Sequence, residues 1–274
     1  MAIITISREM GTGAYQIATE LAKRLRYTLI DGAKIIEVAA SYGLTPELLE
    51  RVDEKPPVYI TAQDRLNASY LNTIELILLE GMKKGNVIVY GRGGQDLIPC
   101  LKTVIRVRFI APFEERVENF AEREWVDPDL AHELIRKNDH QRGGFIHYYY
   151  DRDWNDPLEY DLVFNTVKLS RSAIVDAIVA AVKDPKIKAA DKESEIVLEN
   201  LILRKKIETE ILKSPEVSNQ HFIIEVVNSH VRLSGHVHSD LEREDVIRIT
   251  RGVNGVASVE DNLQIMVFKI YKER

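Results

Sequence analysis

Cysteine is almost missing from this chain: its 274 residues include one, Cys100. An internal disulfide is excluded, and a reducing compartment is the expectation. Long apolar runs are missing as well. None approaches the roughly 20 residues that a membrane-spanning helix needs. No basic-then-apolar leader precedes the first strand-like run, so the cytoplasm is the expected location. Charge of one sign is scarce, since 37 Lys and Arg against 43 Asp and Glu leave a net of -6. That mild acidic balance argues against nonspecific nucleic-acid binding. From Asn200 to Arg274 there are eleven basic and eleven acidic residues, so all of the excess lies upstream.

What is present begins at the first strand. Ile3-Ile4-Thr5-Ile6-Ser7-Arg8 is an apolar β-type run that breaks into Glu9-Met10-Gly11-Thr12-Gly13 and then into a helical pattern. Strand, Gly-containing loop and helix N-terminus in that order bring backbone N–H groups onto an anion without needing a side chain. The alternative is an ordinary glycine turn. One absence here bears on chemistry. The pattern G-x-x-x-x-G-K-[ST] wants Lys after its second Gly, and Ala14 stands there.

Strand-like runs at Ala2–Ser7, Asn86–Gly91, Val104–Ile110 and Asp161–Asn165 alternate with helical patterns. The helices are expected at Tyr15–Arg26, Gly32–Ser41, Gln63–Lys83, Phe113–Glu124, Pro128–Arg136 and Arg171–Val182. Thr45-Pro46 and Asp127-Pro128 read as N-caps followed by Pro at the first helical position. Such alternation predicts an α/β fold with a parallel sheet flanked by helices. Near Lys183-Asp184-Pro185-Lys186 the character changes. A helix at Glu193–Leu212, strands at Phe222–Val227 and Val231–Val237, a helix at Glu242–Arg251 and a strand at Ala257–Val267 then describe a small αββαβ unit. The expected domains are residues 1–187 and 188–274.

Four segments in the first domain, taken in order, resemble the cytidylate kinase-like branch of the P-loop nucleoside monophosphate kinases. They are Ser7–Gly13, Leu29–Ala33, Val87–Gly93 and Asp139–Arg142 with the following Tyr148 and Trp154–Thr166. The resemblance implies ATP-dependent phosphoryl transfer to a nucleoside monophosphate (CMP-like) or a related small phosphate acceptor, with Mg2+. It assigns Ser7, Gly11, Thr12 and Gly13 to the donor nucleotide, with Thr12 also near the metal. Asp31 and Arg92 fall in the acceptor region, and Arg8, Arg142 and Asp139 in the catalytic set. Relatives in this branch commonly carry Ser-Arg in the loop and lack the lysine too. Gly93 stands where better-studied cytidylate kinases carry Asp after Gly-Arg.

Each residue also has a plainer reading. Arg92 between glycines suits a bidentate grip on phosphate, or a surface turn. Asp31 suits a sugar or base contact, or an N-cap. Asp139 and Arg142 share a helical face and suit either a positioned pair or a solvated one. Arg8 is placed to supply the charge of the missing lysine. Tyr148-Tyr149-Tyr150 and Trp154 suit stacking on a base, with packing of a lid segment the plainer expectation.

In the second domain, Val231-Arg232-Leu233-Ser234-Gly235, the helix Glu242–Arg251 and Gly252-Val253-Asn254-Gly255-Val256 resemble a BON domain. The resemblance implies phospholipid or small-ligand binding, and with no export signal a cytoplasmic ligand-sensing or self-association role is the expectation. His236 and His238, with His230 nearby, fall short of a metal site unless three ligands converge, and solvated histidines are the plainer reading. The competing reading of the whole chain is a noncatalytic nucleotide-binding regulator.

Overall fold

The computed structural model describes residues 2–52, 54, 62–98, 101–189, 191–217 and 221–266. Cys100 and Val267 lie outside the described residues. The chain divides into two compact units, Met1–Tyr59 with Ile77–Glu195, and Ile60–Leu76 with Ile196–Arg274.

The first unit runs β1 (Ile3–Arg8), α1 (Ala14–Leu25), β2 (Thr28–Ile30), α2 (Gly32–Ala39) and α3 (Pro46–Arg51). Helix α4 (Ala62–Lys83) follows, its residues up to Leu76 belonging to the second unit. Then come β3 (Val87–Tyr90), β4 (Val104–Ile110), α5 (Phe113–Glu124), α6 (Pro128–Tyr150), β5 (Leu162–Asn165), α7 (Arg171–Val182) and α8 (Pro185–Ala189). The five strands form one parallel sheet in the order β2-β3-β1-β4-β5.

β1 lies at the centre because its β-branched residues suit burial on both faces. Ile3, Ile4 and Ile6 are fully buried, with Ile17 and Leu21 of α1 and Ile174 and Ile178 of α7 in the same core. Burying each such side chain is worth roughly 1.5–3 kcal/mol. The carboxyl end of β1 opens into the loop Glu9–Gly13, where open α/β sheets hold ligands.

The structure differs from expectation at three elements, one of them the short helix α8 at the charged boundary. β2 is an additional short strand, pairing in parallel with β3. Helix α6 continues to Tyr150 instead of stopping at Arg136. Gly143 and Gly144 do not end it, because Phe145 and Ile146 beyond them are buried and hold the last turns to the unit. Asp139, Arg142 and the three tyrosines therefore ride on one helix.

In the second unit, α9 (Asp191–Lys213) leads into β6 (His221–Val227), β7 (His230–Val237), α10 (Asp240–Gly252) and β8 (Ser258–Ile265). β6 and β7 form an antiparallel hairpin, and α10 carries the chain across so that β8 pairs with β7 in parallel. Asn228 and Ser229 both take positive φ, as a tight two-residue hairpin turn demands. Val231, Leu233 and Val237 alternate inward and pack with Ile207, Ile211, Val246 and Leu263. Lys205 of α9 places Nζ 2.6 Å from Glu75 and 2.8 Å from Glu208. Asn72 accepts from the same ammonium at 3.0 Å. Burial lowers the Lys205 pKa, but the two carboxylates more than reverse this and leave it raised.

Among the described residues no helix is long and apolar enough to cross a membrane.

Candidate active site

The loop after β1 is shaped by its glycines. Gly11 and Gly13 take φ of +88° and +71°, and Gly13 serves as the N-cap of α1 without any side chain to offer. Several other helices are capped by a side-chain oxygen: α2 by Asp31, α3 by Thr45, α7 by Ser170 and α10 by Ser239, while α5, capped by Pro112, has two acidic residues in its first turn instead. α1 has no such cap and no acidic residue in its first turn. Its first N–H groups and the positive end of its dipole are left for an anion. A cleft of about 430 Å³ opens there, lined by Gly11, Thr12, Gly13, Gln16, Asn119 and Arg123 among others.

The loop is braced from behind. Arg116 of α5 donates from Nη1 to Met10 O at 3.2 Å and pairs with Asp139 Oδ2 at 2.6 Å. Asp139 also accepts from Met10 N at 3.3 Å. Glu9 lies between Arg116 and Arg108, at 3.4 Å and 3.6 Å. Both arginines are almost completely buried. Asp139 thus faces Arg116 and the loop, whereas the sequence made Arg142 its neighbour. The helical spacing allows the Arg142 pair, but the Met10 amide and a buried guanidinium offer Asp139 better partners.

Ser7 and Arg8 point to opposite sides of β1, as successive strand residues must. Ser7 Oγ is buried and accepts from Trp154 Nε1 at 2.9 Å, with Arg108 and Tyr160 close by at 3.4 Å and 3.3 Å. Its hydroxyl is therefore committed to the interior and not turned to the first cleft. Trp154 is buried with the Arg108 guanidinium 4.1 Å above its ring. Tyr149 and Tyr150 pack on Phe145 at 5.0 Å and 5.9 Å, so this aromatic group serves packing.

Arg8 extends into a second cleft of about 410 Å³, lined by Tyr90, Arg92, Lys137, Arg142 and Glu54. Its guanidinium lies 4.4 Å over the Tyr90 ring. Arg8 is thus grouped with Arg92 and Arg142 and is not among the residues lining the first cleft. Glu54 ties the group together. It accepts from Arg8 Nη1 at 3.4 Å, from Arg142 Nε at 3.0 Å and from the Arg92 backbone N–H. Arg142 also donates to Arg8 O at 3.0 Å, and Arg92 Nη1 to Val52 O at 3.3 Å. Burial raises the Glu54 carboxyl, but Arg8, Arg142 and the Arg92 N–H outweigh it and hold Glu54 well below the usual carboxylate range. Burial and the nearby Arg8 lower Arg142.

Asp31 caps α2 by accepting from Lys34 N at 2.9 Å, and it accepts from Tyr15 OH at 2.9 Å. The plainer reading of this residue is the one seen. Gly93 takes φ +66°, a backbone conformation that favours glycine, and a Cβ there would press on the tip of the Tyr150 ring.

Among the described residues no three His, Cys, Asp or Glu side chains are grouped to hold a metal ion. Mg2+ bound through phosphates and water needs no such cage. Thr12 fits it: Oγ1 gives its proton to Glu9 O at 2.8 Å, which leaves its lone pairs for a cation. Sequence reasoning missed Glu54, Glu9, Arg108 and Arg116. Arg108, a charge inside the apolar strand Val104–Ile110, was the detectable one. Glu54 sits in a charged run that reads as solvated surface.

The model of the cytidylate kinase-like family matches residues 3–168, and that of the BON domain matches residues 200–266. A cytidylate kinase of Methanocella arvoryzae is 29% identical over 188 residues, covering 67% of this chain and 98% of its own. One from Natronomonas pharaonis is 28% identical over 181 residues, covering 66% and 88%. The crystal structure of an uncharacterized protein from Eubacterium ventriosum shares the fold at a TM-score of 0.53 and 24% identity, over 66% of this chain and 97% of that one.

Proposed function

Because the chain belongs to the cytidylate kinase-like family, we propose that it transfers the terminal phosphoryl group of ATP to a nucleoside monophosphate. The grouping of Arg8, Arg92 and Arg142 on one cleft, beside a loop with an uncapped helix N-terminus, carries this reading. The first cleft takes the triphosphate through loop N–H groups. Asn119 and Arg123 lie where its nucleoside would extend. The second cleft takes the acceptor, whose phosphate meets the arginines.

In the transfer, an acceptor phosphate oxygen forms a bond to the γ-phosphorus while the bond from that phosphorus to the β-bridging oxygen breaks, leaving ADP. The attacking oxygen is already ionised at neutral pH, so no general base is required. Glu54, held ionised and paired, would be a poor one, which favours a phosphate acceptor over a hydroxyl acceptor. The work left to the protein is positioning and charge neutralisation. Arg8 and Arg142 supply it from the acceptor side, and the braced loop from the donor side. Mg2+, which Thr12 Oγ1 would help to hold, would supply neutralisation of charge on the donor phosphates.

The relatives named cytidylate kinase make CMP the first acceptor to test. One observation favours the regulator reading: Ala14, buried at the start of α1, leaves the loop without its lysine. For the BON-like unit we infer ligand sensing or self-association, and for the chain a cytoplasmic location.

A coupled assay of ATP consumption across a panel of nucleoside monophosphates tests the function. The expected result is turnover with CMP, slower than in lysine-bearing kinases, abolished in Arg8→Ala and raised in Ala14→Lys. ATP binding with no turnover on any acceptor would establish the regulator reading instead.

A further inference from the structure

Granting that the second cleft is the acceptor site, on which this inference rests, we propose that Glu54 is a resident stand-in for the acceptor's phosphate: it fills the anion site of the free protein, and the acceptor binds by displacing it.

Three donors converge on the Glu54 carboxylate. Oε1 accepts from Arg8 Nη1 and the Arg92 N–H, and Oε2 accepts from Arg142 Nε at 3.0 Å. Two guanidinium groups and a backbone amide are the donors that a terminal phosphate would also use. The site is built for this arrangement. Gly91 takes φ +78°, and a Cβ on it would run into both Arg8 Nη1 and Glu54 Oε1. The β3 terminus is thus kept bare at the point where the cation and the anion meet. The side chains of Arg8, Glu54 and Arg142 are only 15%, 13% and 14% exposed, yet all three line an open cleft.

The exchange has a direction. A carboxylate offers two oxygens for three donors, so Oε1 must serve two of them. A phosphate monoester offers three oxygens and a charge of about -1.5 to -2 at neutral pH. It satisfies each donor separately and neutralises the two guanidiniums more fully. A carboxylate ligand would gain nothing over Glu54, and a phosphodiester, with one negative charge and two free oxygens, would do no better. Glu54 thus acts as a threshold that admits monoester phosphates and keeps the arginines apart from weaker anions. The cost is a lower affinity for the correct acceptor than the bare arginines would give.

The test uses the full chain and its Glu54→Gln and Arg142→Ala variants, each titrated with inorganic phosphate and with CMP by calorimetry at fixed ionic strength. Glutamine keeps the size and one acceptor but removes the competing charge. The expected result is about tenfold tighter binding of both probes to Glu54→Gln, the scale of one charged hydrogen bond. Loss of binding in Arg142→Ala should accompany it. Equal or weaker binding to Glu54→Gln, with Arg142 still required, overturns the stand-in and leaves the acceptor site in place. Binding that ignores Arg142, or none at all, overturns both. Should Glu54→Gln not fold, a crystal structure of the parent with CMP decides. Phosphate on Arg8 and Arg142 with Glu54 moved away supports the inference, and an intact Glu54 pair beside the phosphate overturns it.

Discussion

The two clefts of the first unit hold charge in opposite ways. The first relies on backbone: free N–H groups at the start of α1 and a loop turned by two glycines. Its arginines in reserve, Arg108 and Arg116, are spent behind the loop on Glu9 and Asp139. The second relies on side chains brought from β1, the segment after α3, the turn after β3, and α6. The difference teaches where substitution should be felt. A backbone site tolerates side-chain changes around it, whereas a side-chain site loses a defined part of its affinity with each residue removed.

The largest effect should come from Arg142→Ala. It deprives Glu54 of its closest side-chain partner, and breaking a buried pair costs about 3–5 kcal/mol. Single-turnover measurements should show transfer reduced by roughly a hundredfold or more, with triphosphate affinity held within about twofold. Equal loss for both ligands would break the division between the clefts. Arg92→Ala comes next. Acceptor binding should weaken less than in Arg142→Ala, because alanine keeps the backbone N–H that Glu54 uses and removes only the guanidinium charge from the cleft. A parallel ATP titration should be unchanged.

Asp96 sharpens the comparison by pH. It is buried in the turn that carries Arg92, beside the Arg152–Glu159 pair and near Arg106. Burial above all pushes its carboxyl up to about 7 from 3.8; Glu159 adds to the rise, while Arg152, Arg106 and Gln95 oppose it. In the folded protein Asp96 keeps a proton that the unfolded chain has released. Its contribution to stability is full below about pH 4 and is lost as pH rises through about 7. Urea denaturation at pH 5 and pH 8 should show that decline in the parent and a flatter profile in Asp96→Asn. The smallest effect belongs to the first cleft. Arg123 lines it but is 40% exposed and paired with neighbouring Glu124. Arg123→Ala should change stability by no more than about 0.5 kcal/mol, and thermal unfolding should register little.

Legibility in the sequence follows the same division. The parallel sheet was readable because β1, β3 and β4 are apolar runs, and the loop because glycine positions are local signals. Gathering Arg8, Arg92 and Arg142 required the order of motifs, since no local pattern joins residues so far apart. Glu54 was invisible. A carboxylate in a charged run looks solvated until the fold closes arginines around it. Asp139 lay beyond the expected helix end at Arg136, and its spacing from Arg142 reveals nothing of Arg116 on α5, its partner in the structure. The extension of α6 past Arg136 was hidden too, since Gly143 and Gly144 lower helix propensity there while burial of Phe145 overrides them.

Glu75 and Lys205 join parts of the second unit that are 130 positions apart in the chain, and this sets an order of events during synthesis. Residues 60–76 leave the ribosome about 120 residues ahead of the segment beginning at Ile196. At roughly 5–20 residues per second they wait on the order of ten seconds for their partners. During that wait Glu75 lacks the Lys205 ammonium, and Leu71 and Ile74 lack the burial they have in the folded chain. The nascent chain is most exposed to misassembly in that interval. A stop codon after residue 187 would make the wait permanent.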